Sequence, residues 1–147
     1  MADVKDPKIA EAYELVRSDK SDETWLRLDY ESDKSDKLVL SETGTGDLDE
    51  FTSKLDPAKA SFGFVRVKYA NDEHSFREKF TLVTWIGENV KIMRRAKVSV
   101  HTADVKSIIR SYSIEVSAST PKDLEVDEVV QRLRRAGGAN YDRSKFD

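Results

Sequence analysis

Residues 79–86 most constrain what this chain can fold into, because apolar and β-branched side chains follow one another there almost without interruption. The segment consists of Lys-Phe-Thr-Leu-Val-Thr-Trp-Ile, and threonine fits a pleated strand as well as the apolar residues do. Such a segment is typical of a β-strand that is buried on both faces of a sheet. Gly87 ends the segment, and Glu88 or Asn89 is predicted to begin a helix.

Two cations lie at the start of this predicted strand. Lys79 is its first residue and Arg77 precedes Lys79 by two positions, so strand alternation places both side chains on the same face. A strand that is fixed by buried neighbours is a good support for positive charges that meet a partner. From composition alone, however, a solvated strand end is the simpler explanation of these cations.

The composition limits the classes of partner. The chain has 147 residues, of which 38% are hydrophobic and 36% charged, and this length fits one domain. We predict that the domain spans residues 1–138 and that residues 139–147 form a polar C-terminal tail. The 25 basic and 28 acidic residues give a net charge of −3. Nucleic acid is therefore not an expected partner, and an anionic partner must meet a local basic patch.

Candidate catalytic and metal-ligating residues are few. The chain has no cysteine, which excludes disulfides and thiolate metal sites. Its two histidines, His74 and His101, are separated by a strand and half a helix and match neither a metal site nor a base and nucleophile pair. We therefore expect a protein that is not an enzyme and holds no metal or cofactor. Since no apolar run reaches 18 residues and the N-terminus lacks an apolar signal segment, we expect a cytoplasmic protein that does not insert into membranes. We also expect a monomer, because the apolar residues are already used by the inward faces of helices and strands.

Alternation and helical spacing predict five strands and four helices. The strands are predicted at residues 24–30, 37–42, 61–69, 79–86 and 113–119, and the helices at residues 7–18, 47–55, 88–112 and 120–136. The first two strands and the next two are expected to form hairpins, the second of them with a polar connection over residues 70–78. The fifth strand is reached through the long helix, so we predict an α+β fold of the α/β-sandwich type. Its central mixed five-stranded sheet is flanked by four helices.

Several local features refine this prediction. Asp47 and Glu50 have the spacing of a capping box at the start of the second helix. The β-branched cluster at residues 98–102 weakens the long helix and is where a kink or break is expected, so the sequence leaves the continuity of that helix open. The glycine pair at residues 137–138 is predicted to end the last helix. Phe76 lies in the polar connection, and we expect a satellite core residue there rather than an exposed anchor.

Four segments carry a resemblance to a known family. They cover residues 12–19 (AYELVRSD), 79–90 (KFTLVTWIGENV), 95–97 (RAK) and 135–142 (RAGGANYD). Together with the order of the predicted elements, they resemble the actin-depolymerising-factor homology domain and, within that family, the coactosin branch. The sequences WIGENV and AGGANY are the most specific to that branch.

The resemblance implies a protein that binds the side of actin filaments and has no enzymatic activity. In the coactosin branch, such binding modulates cytoskeletal dynamics without strong severing or depolymerisation, so the expected location is the cytoplasmic cytoskeleton. The positions that match the family's filament site are Arg77 and Lys79 on the strand and Arg132 and Arg135 on the last helix.

A secondary actin-binding surface is also implied, on the first half of the long helix. Arg95 is the best match there, and Arg94 and Lys97 complete its basic cluster. Two other functions therefore stay open. The chain could be a cofilin-like factor that binds actin monomers or depolymerises filaments, or an adaptor module whose basic clusters meet phosphoinositide head groups or another protein.

Overall fold

The strands confirm the predicted mixed sheet. The computed structural model describes residues 1–70 and 72–146, and of residues 137–146 only the helical backbone. The strands are β1 (Trp25–Tyr30), β2 (Leu38–Gly44), β3 (Ala60–Ala70), β4 (Phe76–Ile86) and β5 (Ile114–Ala118). They lie in the order β2-β1-β3-β4-β5, and only β4 and β5 are parallel to each other. The strand predicted from residues 79–86 is thus an interior strand, between β3 and β5.

Helices cover both faces of this sheet, which confirms the α+β class. The helices are α1 (Pro7–Arg17), α2 (Leu48–Ser53), α3 (Ile92–Lys106), a 3₁₀ turn (Pro121–Leu124) and α4 (Val126–Phe146). Phe62 and Phe64 of β3 pack in one apolar core with α1 and α3. Val65 and Val67, which point to the opposite face, pack in a second core with α2 and α4. Each face of the sheet therefore has its own helical layer.

The hairpin of β3 and β4 is longer than the sequence indicates. The predicted polar connection over residues 70–78 is wrong, because β3 and β4 stay paired out to Ala70 and Phe76. Backbone groups form this ladder, so it continues beyond Tyr69, the last buried residue of β3. Asp72 closes the turn, since its Oδ1 accepts hydrogen bonds from the backbone N–H groups of His74 (2.8 Å) and Ser75 (2.9 Å). These bonds, chiefly the one from His74, hold the pKa of Asp72 below its usual range.

The long helix differs from its prediction at both ends. It begins at Ile92 rather than at residue 88 or 89, because the backbone of residues 87–89 is bonded to residues 57–59 instead. It ends at Lys106 rather than near residue 112. Just beyond that end, the Tyr13 hydroxyl of α1 accepts hydrogen bonds from the backbone N–H groups of Arg110 and Ser111. Tertiary contacts thus override the helical spacing at both ends.

Two smaller predictions are also corrected, and one open point is answered. The sequence leaves the continuity of the long helix open at residues 98–102; α3 has no break there, and the Thr102 hydroxyl donates to the Val98 carbonyl within it. The glycine pair at residues 137–138 does not end α4, since glycine in a helix costs only about 1 kcal/mol relative to alanine. No capping box forms at Asp47, because Glu50 Oε1 accepts from the Trp25 indole instead (2.9 Å). The division at residues 138 and 139 into domain and tail stays a prediction.

Candidate functional site

Strand β4 directs Arg77 and Lys79 to the face of the sheet that α4 covers. Both side chains share a face with Val83 and Trp85, which lie in the core that contains α4. Arg77 pairs with Tyr69 across the hairpin and Lys79 pairs with Val67, so strand pairing fixes both backbone positions. Each side chain is partly exposed, and neither forms a hydrogen bond or ion pair with the described residues.

Helix α4 carries the other predicted cations along the same face. Its buried side, which includes Val129 and Leu133, packs on the sheet. The Arg132 guanidinium donates to the Glu115 carbonyl of β5 at 2.7 Å. Arg135 is exposed and makes no hydrogen bond or ion pair within the part of the chain that the structure describes. The structure therefore places the four predicted primary residues on one face of the sheet.

The basic cluster of α3 lies on the opposite face and is largely engaged within the molecule. The side chain of Arg94 is only 14% exposed, and its guanidinium lies 3.8 Å from the centroid of the Tyr30 ring. The guanidinium also donates to the backbone carbonyls of residues 32, 33 and 35. Arg95 donates to the carbonyls of Val90 (2.9 Å) and Glu88 (2.7 Å). Lys97 is paired with Asp36 at 3.2 Å. These three side chains therefore hold neighbouring loops in place, and only part of their positive charge is free to meet a partner.

An apolar stripe on the outer side of α3 was not predicted from the sequence. Ile92, Met93 and Val100 are 82%, 77% and 62% exposed, and the exposed Ala96 lies between them. Their spacing places them on one side of the helix. The signal was available: Val98 and Val105 already supply the inward side, so further apolar residues on α3 exceed what the core needs.

Phe76 is a second exposed apolar side chain, and the expectation that it joins the core is wrong. Its ring is 66% exposed, and Lys68 Nζ lies 5.3 Å from the ring centroid. Phe76 and Lys68 are on the face of the hairpin opposite to Arg77, at an end that extends beyond the helical layers.

A buried polar cluster lies between α3 and the β1–β2 hairpin. His101 is 2% exposed, and its Nδ1 is 2.7 Å from the Tyr30 hydroxyl. Burial raises the pKa of Tyr30 to about 12 and lowers the pKa of His101. The hydrogen bond from Lys97 holds the pKa of Asp36 below its usual range. The Tyr30–His101 contact packs α3 onto the sheet, and the raised pKa of Tyr30 keeps its hydroxyl protonated, so we assign the cluster a structural role.

The described residues contain no group of His, Asp and Glu side chains arranged to hold a metal ion. Among the helices described, none is long and apolar enough to cross a lipid bilayer.

Comparisons with known proteins identify the family. The family model of cofilin/tropomyosin-type actin-binding proteins matches residues 1–134. Coactosin of Dictyostelium discoideum is 35% identical over 146 residues, which cover 99% of this chain and 98% of that protein. A crystal structure of human coactosin-like protein superimposes with a TM-score of 0.82 at 31% identity, covering 92% of this chain and 99% of that one.

A solution structure of mouse coactosin is also similar, with a TM-score of 0.74 at 34% identity over 97% of both chains. The family model, the overall identity and the shared fold agree with one another. The chain therefore belongs to the cofilin/tropomyosin-type family of actin-binding proteins, in its coactosin branch, and it is an actin-binding protein rather than an enzyme.

Proposed function

We propose that this protein binds the side of actin filaments in the cytoplasmic cytoskeleton and modulates filament dynamics without strong severing or depolymerisation. The contact surface is the face of the sheet under α4, with Arg77 and Lys79 on the hairpin and Arg132 and Arg135 on the helix. Mouse coactosin, which is 34% identical, is an actin filament binding protein, and this supports the filament rather than the monomer as the partner.

The observation that carries the proposal is the position of Lys79. It stands at the end of the most buried part of β4, where Leu82, Val83 and Trp85 are at most 2% exposed. Packing therefore fixes its backbone, so the side chain loses less conformational entropy on binding than a loop lysine would. A cation held in this way can form a desolvated pair with a carboxylate of the partner.

The test is co-sedimentation of Lys79→Ala with actin filaments. Truncating one member of a desolvated charge pair costs about 2 to 5 kcal/mol, which is roughly a thirtyfold to several-thousandfold loss of affinity. The melting curve should not change, because the lysine head group is at the surface and leaves no cavity.

Lys68→Ala is the matched control. It removes the same charge from the same hairpin, but on the face opposite to α4. We expect it to sediment with filaments like the parent protein. If Lys79→Ala keeps the parental affinity and melting curve, the proposed surface is wrong.

Filament length separates this function from a cofilin-like one. Under the proposal, filaments that are observed by fluorescence microscopy keep their length after the protein is added in modest excess. Rapid shortening would instead place the protein with the severing or depolymerising members of the family.

The exposed stripe of α3 favours one alternative, binding to actin monomers. Ile92, Met93 and Val100 offer an apolar surface that is separate from the α4 face. The variant Met93→Ser/Val100→Ser removes much of it without touching the core. If this variant loses actin binding while Lys79→Ala retains it, the α3 surface is the main contact.

A further inference from the structure

Arg134 is the one arginine of the α4 cluster that was not predicted to contact a partner, yet it connects two parts of the proposed surface. Its Nη2 donates to the backbone carbonyl of Ala70 at 2.8 Å. Its guanidinium also lies over the ring of Tyr69, with 5.9 Å between the carbon and the ring centroid. Ala70 is the last residue of β3, so this contact joins α4 to the end of the β3–β4 hairpin.

Beyond Tyr69, the end of this hairpin presents mostly exposed side chains. Ala70 and Phe76, which pair across it, are both exposed, and Lys68 and Glu78 behind them are exposed as well. Tyr69 is the last residue of β3 that packs into the core with α4. A strand pair beyond the core, with solvent-exposed backbone hydrogen bonds and few apolar contacts, opens and bends more readily than the rest of a sheet.

The position of the hairpin end determines where one proposed contact lies. Arg77 pairs across the hairpin with Tyr69, and the Tyr69 ring lies beneath the Arg134 guanidinium. A displacement of the hairpin end relative to α4 therefore moves Arg77 relative to Arg132 and Arg135. The partner would then meet the hairpin and helix cations in the wrong relative arrangement.

We propose that Arg134 is a positioning residue, which fixes the end of the β3–β4 hairpin to α4 so that Arg77 and the cations of α4 form one rigid filament-binding surface. The inference rests on the proposed function and deepens it. Since the guanidinium is directed at Ala70 and Tyr69, Arg134 acts through Arg77 rather than by its own contact with the partner.

Hydrogen exchange tests the positioning without actin. We expect Arg134→Ala to accelerate amide exchange across residues 66–79 by about twofold to tenfold, the effect of losing one exposed hydrogen bond. Arg135→Ala is the matched control: it removes the same charge from the next position of the helix but no contact with the hairpin, so exchange there should match the parent. Equal exchange in both variants and the parent would overturn the inference.

A double-mutant cycle tests the consequence for binding. Arg134→Ala should weaken filament binding by about threefold to tenfold in the parent, but by less than about twofold when Arg77 is already alanine. The effects of Arg135→Ala and Arg77→Ala should instead multiply. If Arg134→Ala and Arg77→Ala also multiply, Arg134 does not act through Arg77 and the inference is wrong.

Amide exchange and filament sedimentation together distinguish a failure of the proposed function from a failure of the positioning role of Arg134. If the parent protein does not sediment with filaments, the proposed function fails, while the exchange experiment still decides whether Arg134 fixes the hairpin. If exchange accelerates but the cycle shows no coupling, the hairpin is fixed without consequence for binding, and the positioning role is rejected.

Discussion

Gly87, which follows strand β4, has no room for a side chain. A Cβ atom there would meet the backbone of Pro57, including its carbonyl carbon and oxygen. The adjacent backbone cannot retreat, because the N–H of Gly87 donates to the Lys59 carbonyl (3.0 Å) and that of Asn89 to the Pro57 carbonyl (2.8 Å). The glycine of the WIGENV sequence is therefore explained by the close approach of two chain segments.

We predict that Gly87→Ala lowers the free energy of unfolding by about 1 to 3 kcal/mol, the usual range for overpacking a closely packed site. Urea denaturation measures this directly. Glu88→Ala, at the exposed neighbouring position, should change the stability by less than about 0.5 kcal/mol. A Gly87→Ala protein as stable as the parent would mean that the 57–59 segment moves away at little cost.

The buried His101 makes stability depend on pH. Burial lowers its pKa below the ordinary value of 6.5, and the repulsion from Arg94 acts in the same direction, whereas Asp36 and Asp104 partly oppose the shift. The unfolded chain therefore binds a proton more readily than the folded protein does. The contribution of His101 to stability is complete above pH 6.5 and is lost as the pH falls below that value.

We therefore predict that unfolding free energy declines as the pH falls from about 7 to about 5, and that His101→Gln flattens this decline. The carboxylates whose pKa values are lowered, Asp36, Asp72 and Asp123, act at lower pH, since they lose stability only as they become protonated below the ordinary 3.8. Urea titrations at several pH values measure the slope. An equal slope in the parent and in His101→Gln would contradict the assignment.

At the scale of elements, the β1–β2 connection is held to α3 mainly by Arg94. Its guanidinium donates to the carbonyls of Asp33 (2.6 Å) and Ser35 (3.0 Å), and it stacks on the Tyr30 ring. Hydrogen bonds from a charged donor contribute more than neutral ones do. We predict that Arg94→Gln costs about 2 kcal/mol and accelerates amide exchange in residues 31–37.

Lys97→Ala serves as the comparison for Arg94→Gln, because Lys97 reaches the same connection only through an exposed ion pair with Asp36. An exposed pair contributes at most about 1 kcal/mol, so the loss of stability should be small. Equal losses in the two variants would show that net charge, rather than the carbonyl contacts of Arg94, holds the connection.

The sequence predicts an element well where its side chains alone determine it. Strand β4 can be predicted from the sequence because its apolar side chains pack into the two cores. The extended hairpin cannot be predicted, since residues 70–78 are mostly polar and their pairing depends on backbone hydrogen bonds. Likewise, the start of α3 is set by bonds between residues 87–89 and 57–59, which are distant in sequence.

In the candidate site, too, the features set by local side-chain patterns can be predicted, and those set by contacts distant in sequence cannot. Strand alternation correctly places Arg77 and Lys79 on one face. Which helix covers that face depends on the topology, and so does the separation of these cations from the cluster on α3. The internal contacts of Arg94 and Arg134 are with residues about 60 positions away, so no local pattern predicts them.

At the scale of the whole molecule, the sheet separates two surfaces of different character. The α4 face presents cations from the hairpin and the helix, whereas the α3 face combines an apolar stripe with basic residues that are engaged internally. The net charge of −3 means that the molecule as a whole does not attract an anionic partner. Attraction to a filament through the α4 face must therefore come from local charge.

This separation predicts how filament binding responds to salt. The range of electrostatic attraction between exposed charges falls to about 10 Å at 0.1 M ionic strength, so sedimentation with filaments should weaken as salt is raised from about 0.05 to about 0.2 M. Lys79→Ala should show a shallower dependence on salt, because a contributing charge is gone. Lys97→Ala, on the other face, should keep the parental dependence. Binding that is insensitive to salt would instead assign the interface to the apolar stripe that includes Ile92 and Met93.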